Sequence, residues 1–305
     1  MIIDINKKNI VQNGKKVADG RIARRIDAIR SNFKEQKPNG VLYDFLAIDS
    51  IYYGLYEFYF KENVKSMKQW FYVSSLLRAE SCKYSGGWNM WTPHAFIFPL
   101  LTDNEDLIKI YSSLTTVNDN DHQKWLVEAI NYPREGRFNV LRFQAVLRQD
   151  WNKVNQMKEI FHEKIKNPKN FELWEMDFYT ALQNKDANSA QQIIYEYLHP
   201  KIHKYLNQHL VEEFSGDIWS HHPVMFTKLA WINGLEIEID NPLVPMELMR
   251  VKPLDHYDYH YDFLDPNWKP KSFWGKLFIG SNFKTNSILC AGLFQTCWGK
   301  KAHSS

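Results

Sequence analysis

Apolar residues recur along most of this chain with the spacing of α-helices. Ile22, Ile26, Ile29 and Phe33 are separated by four, three and four positions, so they share one face of a predicted helix over 21–36. The same period continues over 42–60 in a wider aromatic stripe. A stripe of that width indicates a helix that is buried on two sides.

Capping residues mark further helix ends. A third helix is predicted over 64–82 and is ended by Gly86 and Gly87, because glycine readily takes the left-handed conformation that terminates helices. Thr102 and Glu105 have the spacing of a capping box, which predicts a helix that continues through Leu114.

Residues 136–200 contain a weak internal repeat with a period of 36, and each copy reads as a helix, a polar turn at an aspartate and a second helix. The aligned pairs are Phe143 with Tyr179, Ala145 with Ala181, Val146 with Leu182, Asp150 with Asp186, Val154 with Ala190, Met157 with Ile193 and Phe161 with Tyr197. Such a period is typical of tetratricopeptide-like hairpins, which stack to bury their apolar faces. A chance match between two antiparallel helix pairs is the alternative interpretation.

The chain beyond residue 200 predicts helices over 202–214 and 224–233, and then an extended stretch. Leu235, Ile237 and Ile239 alternate there with acidic residues before two prolines and a final short helix over 246–250. We therefore expect an all-α fold of stacked antiparallel helical hairpins with a short extended segment near the C-terminus. Residues 1–268 are expected to form a single helical domain, and 269–305 a basic, aromatic tail that is docked or flexible.

The net charge of +3 hides an uneven distribution. Residues 1–40 hold ten Lys or Arg and four Asp or Glu, and residues 269–305 hold six Lys and no acidic residue. The middle of the chain is therefore acidic. A net charge this small gives no ground for a surface that binds nucleic acid directly.

The sequence gives three indications of compartment. Three cysteines are too few for a disulfide scaffold, which favours a reducing compartment. The N-terminus lacks the apolar run and the small-residue cleavage site of a signal peptide. No stretch reaches the ~18 uncharged apolar residues that a membrane span requires. We expect a cytoplasmic protein without a membrane span.

The segment from His256 to Asp262 is the sharpest candidate for metal chemistry. If it is extended, His256, Asp258, His260 and Asp262 share one face, and histidine with carboxylate suits zinc, iron or manganese. Alternate strand residues lie about 7 Å apart, so the competing interpretation packs the tyrosines and leaves the histidines and aspartates in solvent. The sequence has no intact zinc-protease, P-loop or hydrolase motif. We therefore expect no catalytic residue and no cofactor.

The run from Phe226 to Met249 resembles the closing signature of the immunity-protein-49 family of bacterial toxin systems. It has a helix with Leu229 and Ala230, then Gly234, an acidic extended step and a proline before a last short helix. The helix, aspartate turn and helix that precede it are similar to that family too, so the resemblance covers residues 136–250. It departs at the final step, where Leu243-Val244-Pro245 replaces tyrosine, leucine and proline.

The resemblance implies a non-catalytic immunity protein of bacterial competition and type VI secretion, which covers the active site of one cognate toxin, such as a nuclease. Acidic and aromatic loop residues are the candidate partner-binding set: Glu236, Glu238, Asp240, Asp255, Tyr257, Asp258, Tyr259, Asp262, Trp88 and Trp91. Two alternatives are a metal-dependent hydrolase that uses the segment His256–Asp262 and a helical-repeat scaffold for protein interaction.

Overall fold

Helical hairpins build the part of the chain that the structure describes. The computed structural model describes residues 5–35, 38–84, 96–115, 129–207 and 218–269, all within one compact unit. These residues form α-helices, 3-10 turns and extended connections without a β-strand, which confirms the predicted all-α class. Within the same ranges, no helix combines the length and the apolar character needed to cross a bilayer.

The α-helices follow in the order α1 (Ile5–Asp19), α2 (Ile22–Lys34), α3 (Gly40–Lys61), α4 (Val64–Ser81), α5 (Ile97–Thr102), α6 (Glu105–Tyr111), α7 (Gly136–Leu147), α8 (Trp151–Lys164), α9 (Asn170–Gln183), α10 (Ala187–Leu198), α11 (Pro200–Asn207) and α12 (His221–Ile232). Two 3-10 turns, Met246–Leu248 and Asp262–Leu264, interrupt the C-terminal chain.

The helix α3 is central to the N-terminal half. It packs against α1, α2 and α4, which confirms the two-sided burial that its aromatic stripe predicts. Gly54 permits the close approach of α4, because a Cβ at this position would lie 2.6 Å from the Phe71 ring. The glycine is therefore required by packing rather than by backbone conformation.

The predicted repeat is present in the backbone. Its copies are α7–α8, called here the first hairpin, and α9–α10, the second hairpin. The residue before each turn aspartate is left-handed, with φ of 54° at Gln149 and 57° at Lys185. Each aspartate accepts a hydrogen bond from the amide nitrogen three residues later, at 3.1 Å for Asp150 and 3.0 Å for Asp186. Equivalent atoms thus make the same bonds 36 residues apart.

Several predicted helix boundaries are wrong: α6 ends at Tyr111 and not at Leu114, and α12 begins at His221 and not at residue 224. Thr102 does not open a helix; it ends α5, Asp103 turns the chain with φ of 62°, and the Asn104 side chain caps α6 by accepting a bond from the Leu107 amide. The final helix predicted over 246–250 is only a three-residue 3-10 turn. Gly86, Gly87, residues 208–214 and the tail from residue 270 lie outside the described residues.

Candidate functional site

An open groove lies between the two helices of the second hairpin. All of its lining residues come from α9, α10 and the turn between them, and its volume is about 380 Å³. Trp174 and Ile193 supply apolar surface, and Asp177, Asp186 and Glu196 supply carboxylates. We call these five residues the acidic groove. Trp174 is held by an edge contact with the Tyr197 ring at 5.6 Å.

The equivalent surface of the first hairpin is covered by α9, and its residues are apolar. The residues 36 positions before Trp174, Asp177, Ile193 and Glu196 are Phe138, Leu141, Met157 and Ile160. All four belong to an apolar cluster that Leu173 and Met176 of α9 complete. Two positions that are apolar on the covered face are therefore carboxylates on the open face of the second hairpin.

An extended segment, Leu235–Asp240, runs along α10 and is called the strap. Leu235, Ile237 and Ile239 are buried, whereas Glu236, Glu238 and Asp240 are exposed, which follows the predicted alternation. The apolar side chains belong to the main core cluster, so they fix the register of the three carboxylates.

Hydrogen bonds from α10 and α12 hold the strap in place. The Gln191 side chain donates to the Glu238 carbonyl at 2.9 Å, and the Asp240 amide donates to the Tyr195 hydroxyl at 3.1 Å. The Trp231 indole donates to the Ile237 carbonyl at 2.9 Å. Gln191 and Tyr195 lie one helical turn apart on a face of α10 next to the one that lines the acidic groove. Acidic side chains therefore flank α10 on two sides.

The acidic character of this region is only partly neutralised. The second hairpin carries five Asp or Glu and one Lys. Glu175 is buried against Arg142 at 2.9 Å, and Asp177 is 3.7 Å from Lys158. The one lysine, Lys185, donates to the Asn233 carbonyl at 2.6 Å. Hydrogen bonds from Ser189 lower the pKa of Asp186, which stays ionised at neutral pH.

The other predicted acidic and tyrosine residues, at 255–262, lie against different helices. The Tyr257 ring packs on the Tyr72 ring, with 4.8 Å between the ring centroids. Its hydroxyl donates a hydrogen bond to the Thr102 carbonyl. Asp262 forms an ion pair with Arg30 at 3.0 Å. Asp255, Asp258 and Tyr259 are exposed. The structure therefore brings basic α2 next to this segment, and Arg30 neutralises Asp262.

A buried charge cluster anchors the chain that leads into this segment. Asp103 pairs with both Lys68 and Lys228, and all three side chains are almost fully buried. The Lys228 ammonium also donates to the carbonyls of Leu248 and Met249 at 3.0 and 3.1 Å. Burial lowers the pKa of Lys228 to about 8 although Asp103 opposes this shift. These contacts hold the short turn over residues 246–250 against α12.

The four residues proposed as metal ligands do not converge. His256 pairs with Asp258 at 3.0 Å, and both side chains are largely exposed. His260 has a left-handed φ of 61° and contacts the Trp70 ring, while Asp262 is paired with Arg30. Across the described ranges, no group of three or more His, Cys, Asp or Glu side chains could hold a metal ion.

A second, smaller cavity of about 180 Å³ lies between the hairpins and α12. Arg142, Glu175, Tyr197 and His222 line it, and the His222 ring stacks on Tyr197 at 5.1 Å. Burial lowers the pKa of His222 to about 3, so this histidine is neutral at physiological pH. The cavity is therefore a junction lined by the buried Arg142–Glu175 ion pair and a neutral histidine.

The sequence-based candidate set missed Trp174, Asp177, Asp186 and Glu196. The repeat alignment contained the signal, because it pairs Leu141 with Asp177 and Ile160 with Glu196. Trp88 and Trp91, which were candidates for the partner surface, lie outside the described residues.

No model of a protein family matches the sequence, and neither a curated protein nor a solved structure is significantly similar to it.

Proposed function

We propose that this chain is a cytoplasmic immunity protein that binds a cognate antibacterial toxin and neutralises it by covering its active site. One observation carries the proposal: the chain presents acidic side chains on two sides of α10, in an open groove and on a strap that is hydrogen-bonded to α10 and α12. The resemblance of residues 136–250 to immunity proteins supports the same function.

Charge complementarity gives the proposal its physical basis. A toxin that cleaves nucleic acid needs a positive surface to bind phosphate groups. An acidic inhibitor is attracted to that surface over long range, which raises the association rate and opposes substrate binding. Glu236, Glu238 and Asp240 suit this role because their backbone is fixed by buried neighbours and little ordering is needed on binding.

A general helical-repeat scaffold would share the open groove, and gene neighbourhood separates the two functions. An adjacent toxin gene whose product the chain protects against favours immunity. Binding to several unrelated proteins without protection favours the scaffold.

Charge reversal on the strap tests the proposal. The variant Glu236→Lys, Glu238→Lys, Asp240→Lys is compared with a matched variant on and beside the first hairpin, Glu135→Lys, Glu159→Lys, Glu163→Lys, whose residues are also exposed. We expect the strap variant to bind the toxin encoded by the neighbouring gene about tenfold or more weakly. The matched variant should protect cells as the wild type does.

Binding is measured by calorimetry and protection by growth of cells that express the toxin. Equal toxin affinity for the strap variant and the wild type would contradict the surface assignment. Loss of protection in both variants to the same extent would show that net charge matters and that the strap does not.

A further inference from the structure

We infer that the acidic groove binds one basic amphipathic helix of the toxin, on the part of the second hairpin that α12 does not cover. This inference rests on the proposed function, since it names the part of the partner that the second hairpin recognises. It differs from the strap assignment, because it concerns a different face of α10 and a ligand of defined shape.

The stacking of the two hairpins defines the shape. The groove of the first hairpin receives α9, whose Leu173 and Met176 pack against Phe138, Met157 and Phe161. The second hairpin has the same turn geometry; α12 packs on its Phe178 and Tyr197, and the groove lies beside that contact. In the described chain, the lining of this groove comes from α9, α10 and their turn alone.

The side chains of the acidic groove define the chemistry of that helix. Trp174 and Ile193 are partly buried against the core and leave apolar surface facing the groove. Two apolar side chains three positions apart, as Leu173 and Met176 are in α9, would cover them. Asp177 and Glu196 replace the apolar Leu141 and Ile160 of the covered face, so an apolar helix is disfavoured and a helix with lysine or arginine beside the apolar pair is favoured.

A helix from the chain itself supplies the probe. We would synthesise a peptide with the sequence of α9, residues 170–183, carrying Glu172→Lys, Glu175→Lys and Asp177→Lys and a neutral fluorophore. The peptide keeps the apolar pair that fits the first groove and reverses the charge to suit the second. Its binding to the full chain is followed by fluorescence anisotropy at low and at physiological salt.

We expect saturable binding to the wild type and to the control variant Glu159→Lys, Glu163→Lys. The variant Asp177→Lys, Glu196→Lys should bind the peptide about tenfold more weakly, because two exposed ion pairs become repulsive. A second peptide with Leu173→Gln and Met176→Gln should lose binding, because the apolar contact is removed. Circular dichroism melts confirm that the groove variant is folded, as expected for two solvent-exposed positions.

Three results would overturn the inference: no binding of the basic peptide to the wild type, equal binding to the groove variant, or equal binding of the glutamine peptide. The same variants tested with the toxin separate this inference from the proposed function. If the strap variant no longer binds the toxin and the groove variant binds it as the wild type does, the immunity function is supported and the helix-binding site is wrong. If the peptide binds the groove and the chain protects cells against no toxin, the groove is a helix-binding site and the immunity function is wrong.

Discussion

The first hairpin, residues 136–164, carries six Lys or Arg and three Asp or Glu, whereas the second, residues 170–198, carries one Lys and five Asp or Glu. Their turns nevertheless have the same left-handed residue and the same capping aspartate. The backbone of a repeat thus depends on a few turn and crossing positions. At the remaining positions, the residue type depends on whether the face contacts another helix or solvent.

What each face contacts explains the difference. The groove of the first hairpin is filled by α9 and has kept Leu141 and Ile160. Within the described residues, the groove of the second hairpin is open beside α12 and has Asp177 and Glu196 at the equivalent positions. A terminal repeat needs a polar outer face to remain soluble. In this chain the exposed positions carry carboxylates beside the apolar surface of Trp174 and Ile193, and this combination is the basis for the proposed basic partner.

The largest difference in stability between the two hairpins is expected for substitutions at the equivalent residues Met157 and Ile193. Met157→Ala should destabilise the protein by about 3 kcal/mol, because the side chain is fully buried in the cluster with Phe138, Phe161 and Met176. Ile193→Ala should cost about 1 kcal/mol, because one side of that residue faces the open groove.

Urea denaturation of both variants measures the difference, with the midpoint and the slope fitted together. Equal losses would mean that the second groove is covered in solution as the first is, and the comparison of an open with a covered face would fail.

His222, which contacts Tyr197 of the second hairpin, is expected to make the free energy of unfolding depend on pH. The expected size of this effect is intermediate. Its folded-state pKa is lowered to about 3 by burial, against 6.5 in the unfolded chain, so between these values the unfolded state binds the additional proton. Stability should therefore fall as pH drops below 6.5, by about 2 kcal/mol between pH 7 and pH 5. The residue equivalent to Tyr197 is Phe161, whose histidine neighbour, His162, is exposed.

The variant His222→Phe provides the control, because it retains a ring against Tyr197 and cannot titrate. The difference between the two pH profiles isolates this histidine from His221, Glu175 and Arg142 nearby. If His222→Phe shows the same loss of stability between pH 7 and pH 5 as the wild type, the histidine is protonated in the folded state and the buried assignment is wrong.

The local features of the fold were predictable from sequence because they depend on short-range patterns. The aromatic period over 42–60 predicts α3 to within two residues, and the aspartate turns at 150 and 186 mark the repeat. The strap was predictable as well, because alternation with buried Leu235, Ile237 and Ile239 needs no distant partner to be recognised.

Features that depend on distant partners could not be predicted in the same way. Asp49 of α3 is buried against Arg21 and Arg25, which lie more than twenty positions earlier in the chain. Asp103 joins Lys68 and Lys228 across three separate parts of the chain. The acidic groove belongs to this class too, since the sequence shows which positions are equivalent but not which of the two hairpins is covered.

The smallest expected change is a decrease in melting temperature when either turn aspartate is removed, and it shows whether the two turns contribute equally to stability. Asp150→Ala and Asp186→Ala each remove the side-chain acceptor at the start of a helix and should each lower the melting temperature by about 2 °C. Because hydrogen bonding to Ser189 depresses the folded-state pKa of Asp186, its contribution is complete above the usual aspartate pKa of 3.8 and is lost as pH falls through the lower folded value. The Asp186→Ala difference should therefore be constant from pH 5 to pH 8 in calorimetric melts. A much larger loss for one aspartate than for the other would show that the two turns, although alike in geometry, are not energetically equivalent.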